Sequence, residues 1–583
     1  MCAQPLLQTP LTPEQKRIIA ATGNLRINAV AGSGKTTTVI AYATSRPLGA
    51  RILYLAFNKT VRTEAQRRFA ATGLHQVTVE TAHSLAYKHI VPRTGYEIKP
   101  QGYNSFEVAQ LLGLGDAGEK HGAYLLAAHV IKFISLFCNS SASKVQALNY
   151  LDTVQDEKAK AFVRTHYRLI TEGTRLLLKK MNDGAVPITH DFYLKLFQLS
   201  APVLPYDYIL FDEGQDASPA MLDVFLKQKG IKVIVGDAHQ QIYSWRYAVN
   251  AMDAVPFHAF PLSASFRFGP DVAGMGIAAL NLKTHLHPFT APTIEGKGTH
   301  QETHTKAVLA RTNLGLLIHA INYMGNPKNG QRIYFEGNLM SYTYADEGAS
   351  LYDVLNLYNG QHDRIRDKLI ASMNSMEELE EYIEKTEDPQ LAAMVELVEE
   401  YGNDIPRLIK ELKSKQVPDA ERSTADVIFS TVHRAKGMEY DEVQLVPDFI
   451  TETKLEKIKE DAAALKQQEA KLAEEINLLY VAITRAKVKL LLPESLLPKG
   501  FTPGAAVTIL KKESKAELPL PERPSYQETL LAYKNSGNFW TNDRDDELRK
   551  LFHNGLRLSA IAARFGCKQA TIISRLKKLG CVS

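Results

Sequence analysis

The chain has 583 residues, 45% hydrophobic and 23% charged, with a formal net charge of +5; that length exceeds what one hydrophobic core serves and points to several domains. The composition is that of a soluble globular protein: no apolar run approaches the roughly 20 residues of a membrane span, and the start, MCAQPLLQTPLTPEQ, lacks the basic-then-apolar build of a signal peptide. Four scattered cysteines (Cys2, Cys138, Cys567, Cys581) argue against a disulfide framework or structural zinc, so the expected compartment is a reducing cytoplasm, at a bacterial nucleoid rather than in a nucleus.

In chain order, short apolar runs rich in β-formers recur at 25–30 (LRINAV), 51–57 (RILYLAF), 206–211 (YDYILF), 231–236 (IKVIVG), 307–311 (AVLAR), 426–430 (DVIFS), 442–446 (EVQLV) and 488–492 (VKLLL). Continuous rather than alternating apolar strands, separated by helical patterns such as VRTEAQRRFAA, predict parallel sheets covered on both faces. The early and late sets predict two α/β domains, each interrupted by a mainly helical insertion. The first domain takes 1–87 and 190–272, with an insertion at 88–189. The second takes 273–335 and 423–500, and its insertion, 336–422, is short, acidic and helical; we read it as a solvated face and assign it no chemistry. Residues 501–538, dominated by Pro, Gly, Ser and charge, read as a linker.

Residues 539–583 predict a small all-α module of three short helices. Asn542 or Asp543 caps the first, Gly555 ends it, Ser559 starts the second, and Gly566 turns into a basic third. Residues 541–583 hold nine Lys/Arg against four Asp/Glu, so an anionic partner is expected for this tail.

Three segments carry chemistry. AVAGSGKTTT (29–38) follows the first strand. Backbone N–H groups of Ala31, Gly32, Ser33, Gly34 and Thr37 and the helix N-terminus can surround a polyphosphate. Lys35 reaches the β/γ-phosphates, and Thr36 offers its hydroxyl to Mg²⁺. Ala29 stands where the strict pattern has Gly, and the plainer reading is a Gly-rich strand-to-helix turn. LFDEGQD (210–216) closes another strand: Asp212 can hold Mg²⁺, while Glu213 can orient and deprotonate an attacking water. VGDAHQQIYSWR (235–246) runs from a buried strand into Gly236-Asp237 and then Trp245-Arg246. It joins polar groups suited to a phosphate to a ring suited to stacking, or to an ordinary place in the core.

With these motifs in order, the chain resembles the superfamily 1 DNA helicases of the UvrD/Rep type over residues 10–495. LSASFRFG and INLLYVAITRAK are most similar to the F-box DNA helicase branch, although no F-box is evident. The resemblance implies two RecA-like motor domains with ATP and Mg²⁺ in the cleft. It implies Gln15 of LTPEQ as an adenine reader and Gln240 as a γ-phosphate sensor. It implies Phe266 stacking on adenine, Arg267 at the γ-phosphate, Glu439 at the nucleotide and Arg485 as the arginine finger. For single-stranded DNA it implies Phe57, Asn58, Thr81, His83, Trp245, Thr431 and His433, with Gly437 in the same late motif. There are departures. Gly214 replaces the usual Ala, the aromatic of AFNK is shifted by one position from the more common FTNK, and the insertion at 336–422 is short for the family's duplex-contacting subdomain.

The tail resembles a helix-turn-helix or Myb-like module whose third helix offers Lys568, Gln569, Thr571, Arg575, Lys577 and Lys578 to phosphates and base edges; protein docking is the other reading. The expected function is an ATP-dependent single-strand DNA translocase and helicase, 3′→5′, acting in repair or recombination. Its expected partners are single-stranded and forked or tailed duplex DNA, and a recombinase filament or other repair protein. The alternatives are an RNA helicase, a motor subunit of a nuclease or defence complex, and an ATP-gated DNA-binding regulator.

Overall fold

In the computed structural model the described residues are 10–511 and 542–581, apart from 245–246, 325–331, 338, 346–347, 554–555, 557, 566–568 and 580. Six strands make the first sheet: β1 (Leu25–Ala29), β2 (Ile52–Ala56), β3 (Val77–Thr81), β4 (Tyr208–Phe211), β5 (Ile231–Gly236) and β6 (His258–Leu262). Their order is β3-β2-β4-β5-β1-β6, and every pairing is parallel. After β7 (Ala264–Ser265), which pairs with β8 (Glu295–Gly296), a second sheet is built from β9 (Lys306–Ala310), β10 (Ile333–Phe335), β11 (Val427–Thr431), β12 (Tyr440–Leu445), β13 (Ala486–Pro493) and β14 (Val507–Leu510). It is again wholly parallel, in the order β10-β11-β9-β12-β13-β14. These are two RecA-like α/β domains.

Both faces of each sheet are covered, which is why the strands read as continuous apolar runs. In β2, Ile52, Tyr54 and Ala56 enter one core with Val39 and Tyr42, while Leu53 and Leu55 enter another with Ile209, Phe211 and Ile234. In β9, Ala307 and Leu309 face a core with Val443 and Leu490, and Val308 and Ala310 face the opposite side.

The acidic insertion departs from the expectation of a solvated face. Its helices Met376–Thr386 and Pro389–Tyr401 bury Leu379, Tyr382, Leu391 and Val395 in a core shared with the first insertion. Its carboxylates meet cations across that contact, Glu378 with Lys120 and Glu384 with Lys158, while Lys385 reaches Glu119 at 2.6 Å. Residues 507–510 also depart from the expected linker, because β14 hydrogen-bonds along β13 as the sheet's last strand.

The helix Gly122–Asn139 is long and apolar enough, by length and composition, to cross a membrane, which the sequence reading did not anticipate. Two-thirds of it is buried within the protein, and it carries the joint between the insertions. There the His129 imidazole accepts from the Tyr150 hydroxyl at Nδ1 (2.9 Å) and donates from Nε2 to the Lys385 carbonyl (3.0 Å). Burial, with Lys132 adding, holds its pKa down at about 3. A folded pKa below the unfolded one contributes stability that is complete above about pH 6.5 and is lost as pH falls. Between pH 7 and 5 the wild type should therefore lose about 2 kcal/mol more than His129→Gln. Parallel denaturant titrations at the two pH values check this; equal losses would remove His129 as the acid-sensitive group.

Candidate active site

β1 ends at the phosphate-binding loop, and the helix Lys35–Thr44 starts at Gly34, which has φ 76°. Gly32 also has positive φ (73°), and a Cβ there would lie 2.5 Å from Arg267 Cβ and 2.7 Å from Ser265 Oγ. Only glycine admits this approach of the SFRF segment, which is fixed by the Phe266 N–H donating to the Gly32 carbonyl (2.9 Å). Gln15 is buried beside the loop; its amide donates to Thr38 Oγ1 (3.1 Å), and its carbonyl accepts the Thr12 N–H (2.9 Å) in a capping box. Ser33 Oγ, in the same loop, is buried and has no hydrogen-bond partner in the structure.

Asp212 and Glu213 follow β4 directly. Glu213 takes a left-handed backbone (φ 53°), a strained conformation for a non-glycine residue, and its carboxylate meets Lys35 Nζ at 2.7 Å. Burial works to raise the Glu213 pKa, but Lys35 and Lys436 outweigh it and hold it below the ordinary carboxylate range. Burial and the neighbouring Glu213 push Asp212 upward, against Lys35. Asp212 accepts from the Tyr54 hydroxyl and from the Glu213 N–H (3.0 Å).

Gly214 is explained here. A Cβ would lie 2.5 Å from Ile234 Cγ1 and 3.1 Å from Met252 Sδ, so an alanine here, usual in the helicases this chain resembles, would require the Ile234 side chain to shift.

The second domain closes the site from the other side. Arg485, 1% exposed, donates to the Val481 and Met438 carbonyls (3.0 and 3.2 Å) and lies 3.5 Å from Gln240 Oε1. Burial, with Arg267 adding, lowers its pKa to about 9, so the guanidinium stays charged at neutral pH. Arg267 donates to Glu439 (2.8 Å) and to the Thr484 carbonyl (2.9 Å). The Gln240 amide donates to Asp237 (2.7 Å), whose carboxylate also accepts from the Tyr480 hydroxyl (3.2 Å). Lys35, Asp212, Glu213, Gln240, Arg267, Glu439 and Arg485 thus gather at one cleft.

The residues present fit a nucleoside triphosphate with a hard divalent cation. The loop holds an unpartnered buried hydroxyl at Ser33, and Asp212 with Thr36 offers the all-oxygen donor set that Mg²⁺ prefers.

The strand-binding residues are placed more diversely. Phe57 stacks on Tyr243 (centroids 5.4 Å apart, planes at 24°), and the Tyr243 hydroxyl donates to the His433 carbonyl (3.1 Å). Burial and Arg311 hold the His433 pKa down at about 4. Asn58 and Thr81 use their side chains as N-caps for the helices Lys59–Ala71 and Ala82–Thr94. Thr431 ends β11 and is buried, whereas His83 is half exposed, 3.4 Å from Asp191 Oδ1. Trp245 and Lys568 lie outside the described residues.

In the tail, whose helices Asn542–His553, Leu558–Phe565 and Gln569–Lys578 share a core of Leu548, Ile561, Phe565, Ile572 and Leu576, two residues expected to contact DNA have partners within the protein. Arg575 forks onto Asp545 (2.8 and 2.5 Å) as part of the module's own packing. Gln569 bridges to the acidic insertion, accepting from the Tyr358 hydroxyl (3.3 Å) and donating to the Glu399 carbonyl (3.4 Å).

Sequence reasoning missed Tyr243 and Lys436, although each lies inside a quoted motif. Lys436 pairs with the buried Asp216, donates to the Gln240 carbonyl (2.6 Å), and lies 4.8 Å from the Tyr243 ring centroid and 5.8 Å from that of Phe57. One cation therefore touches the segments expected to hold nucleotide and strand. Lys436→Met should destabilise the protein by about 3–5 kcal/mol, because it strands a buried carboxylate. The double variant Lys436→Met/Asp216→Asn should recover much of this in thermal unfolding, and no recovery would mean that the pairing is incidental.

Comparison with known proteins agrees with this geometry. The UvrD/REP helicase N-terminal domain matches residues 196–252, and the UvrD-like helicase C-terminal domain matches 297–495. F-box DNA helicase 1 of Gallus gallus is 30% identical over 537 residues, covering 84% of this chain and 50% of the relative. F-box DNA helicase protein 1 of Schizosaccharomyces pombe is 29% identical over 537 residues, covering 83% of this chain and 58% of the relative. The chain spans about half the length of the curated relatives it matches. It carries the N-terminal and C-terminal domains of the UvrD-like helicases and is a homologue of the F-box DNA helicases.

Proposed function

We propose that this chain is an ATP-dependent DNA helicase that moves 3′→5′ along one strand. The observation that carries the reading is the convergence of Lys35 and Glu213 from one parallel sheet with Arg485 from the other. Phosphoryl transfer to water needs positive charge around the transferred group and a base for the water. Lys35 and Arg485 supply the charge from opposite walls. Glu213, kept ionised, takes the proton from water, and Gln240, anchored by Asp237, orients the γ-phosphate end. Bound Mg²⁺, held by Thr36 and Asp212, would neutralise phosphate charge.

Because Arg485 and Gln240 belong to different domains, hydrolysis changes what holds the cleft closed. Tyr243, Phe57 and Lys436 carry that change toward the strand. We place the activity in DNA repair or recombination, with single-stranded and forked DNA as substrates and a recombinase filament as a candidate target. This pathway rests on likeness to the F-box branch.

ATPase and unwinding measured on 3′-tailed, 5′-tailed and forked DNA test the reading, with RNA as the alternative tracking strand. Unwinding of 3′-tailed and forked DNA, but not of 5′-tailed DNA, is the expected result. ATP-dependent binding without unwinding would make the chain a DNA-binding regulator, and stimulation by RNA alone would overturn the DNA assignment.

A further inference from the structure

The turn that carries Gln240 is also tied to the second domain by a pair outside the residues expected to meet phosphate. His239 Nδ1 lies 3.2 Å from Lys283 Nζ. Lys283, 7% exposed, follows the helix Pro270–Asn281, whose Val272, Met275 and Leu280 pack in the second domain's core. An ammonium only donates, so His239 presents the Nδ1 lone pair and carries its proton on Nε2. Burial lowers both groups, His239 to about 4 and Lys283 to about 8, so a neutral imidazole faces a charged lysine at neutral pH.

Aromatic rings wall the pair. Phe289 meets the imidazole edge-on (5.6 Å, 85°) and lies under the ammonium (5.3 Å), and Tyr480 also meets His239 edge-on (6.3 Å, 86°). The backbone beneath is held by Asp237, which accepts the His239 N–H (3.0 Å) and the Gln240 amide (2.7 Å) on its two oxygens. Any movement of Lys283 with the second domain therefore pulls on the residue next to Gln240.

We propose that His239 is a positioning residue: through Lys283 it ties the Asp237–Gln240 turn to the second domain, so that closing the cleft seats Gln240 and opening it withdraws Gln240. The proposal rests on the helicase reading above. It differs from a packing role in one respect, because it requires a hydrogen-bond acceptor at 239 and a donor at 283, whatever fills the space.

The test uses the full chain, with DNA-stimulated kcat, KM for ATP and melting temperature measured for His239→Leu, His239→Gln, Lys283→Met and the double variant His239→Leu/Lys283→Met. His239→Leu and Lys283→Met should each lower kcat about tenfold, the scale of one lost charge-assisted hydrogen bond. KM should stay within about twofold, since Gln240 acts after nucleotide is bound. The double variant should be no worse than either single variant, because both remove the same link. His239→Gln, which keeps an acceptor, should recover most of the rate.

Additive losses, a Gln variant as slow as Leu, or kcat losses fully matched by a lower folded fraction would overturn the proposal. Should His239→Leu fail to fold, His239→Gln against Lys283→Met gives the same contrast. A wild-type chain with no DNA-stimulated ATPase would sink the helicase reading itself; an active wild type with unaffected variants would sink only the role of His239.

Discussion

Arg485→Ala should reduce DNA-stimulated ATP turnover by about 10³-fold or more, the scale on which a transition-state arginine acts. Arg485 is the arginine that the second domain contributes at the cleft, within 3.5 Å of Gln240 Oε1. Its desolvated setting strengthens its pull on developing negative charge. Arg485→Lys should recover little. A lysine keeps the charge but not the planar fork that reaches the Val481 and Met438 carbonyls while facing the phosphate site. Since those carbonyl bonds also hold the helix end, rates should be normalised to the folded fraction at assay temperature. Near-normal turnover in Arg485→Ala would remove the two-domain cleft from the mechanism.

Glu213→Gln and Lys35→Ala should both stop turnover, but in different ways. Glu213→Gln keeps the shape and removes the base, so turnover should fall by about 10²–10⁴-fold, the usual worth of a positioned general base. Nucleotide should still bind. The ammonium of Lys35, now 2.7 Å from Glu213, would lose its competing anion and be freer to meet phosphate. Lys35→Ala should instead weaken nucleotide binding itself, because no other cation reaches that point from the loop helix. Fluorescent-nucleotide titration beside steady-state ATPase separates the two. A Glu213→Gln protein that hydrolyses ATP normally would assign the base to another group, and one that no longer binds nucleotide would make Glu213 structural.

The eight strands read from the sequence, β1, β2, β4, β5, β9, β11, β12 and β13, are the four inner strands of each sheet. The four unread strands of these sheets, β3, β6, β10 and β14, are their edges. One reason is burial, another length: β10 is buried throughout but has only three residues. An inner strand has neighbours on both sides and cores above and below, so a run of apolar residues marks it, as ILYLA marks β2. The edge strand HAFPL of β6 leaves His258, Ala259 and Pro261 exposed, and its composition no longer marks it. Proline at 261 is tolerated there because an edge has a free side.

The phosphate loop and Asp212-Glu213 were legible because their chemistry is written in consecutive residues after a strand, whereas Arg485, between the helix Ala462–Ile483 and β13, was picked out only through the resemblance. Asn58 and Thr81 were legible too, but with two meanings. An Asn or Thr before a helix can meet a strand of DNA or cap the helix, and here the side chains cap.

What only the tertiary structure decided are pairings between distant segments. Arg575 looked like a free cation on a basic helix until Asp545 was brought to it. The acidic run looked like a solvated face until the lysines of the first insertion met it. His239 lies inside the 235–246 segment but Lys283 in no motif, and with 44 positions between them no local pattern joins the two. Composition and local pattern determined which chemistry this chain holds, because strands, loops and caps depend on neighbours in sequence. Which charges remain available for a ligand was decided by tertiary packing, within the tail, between the insertions and across the cleft, because desolvation and pairing depend on neighbours in space.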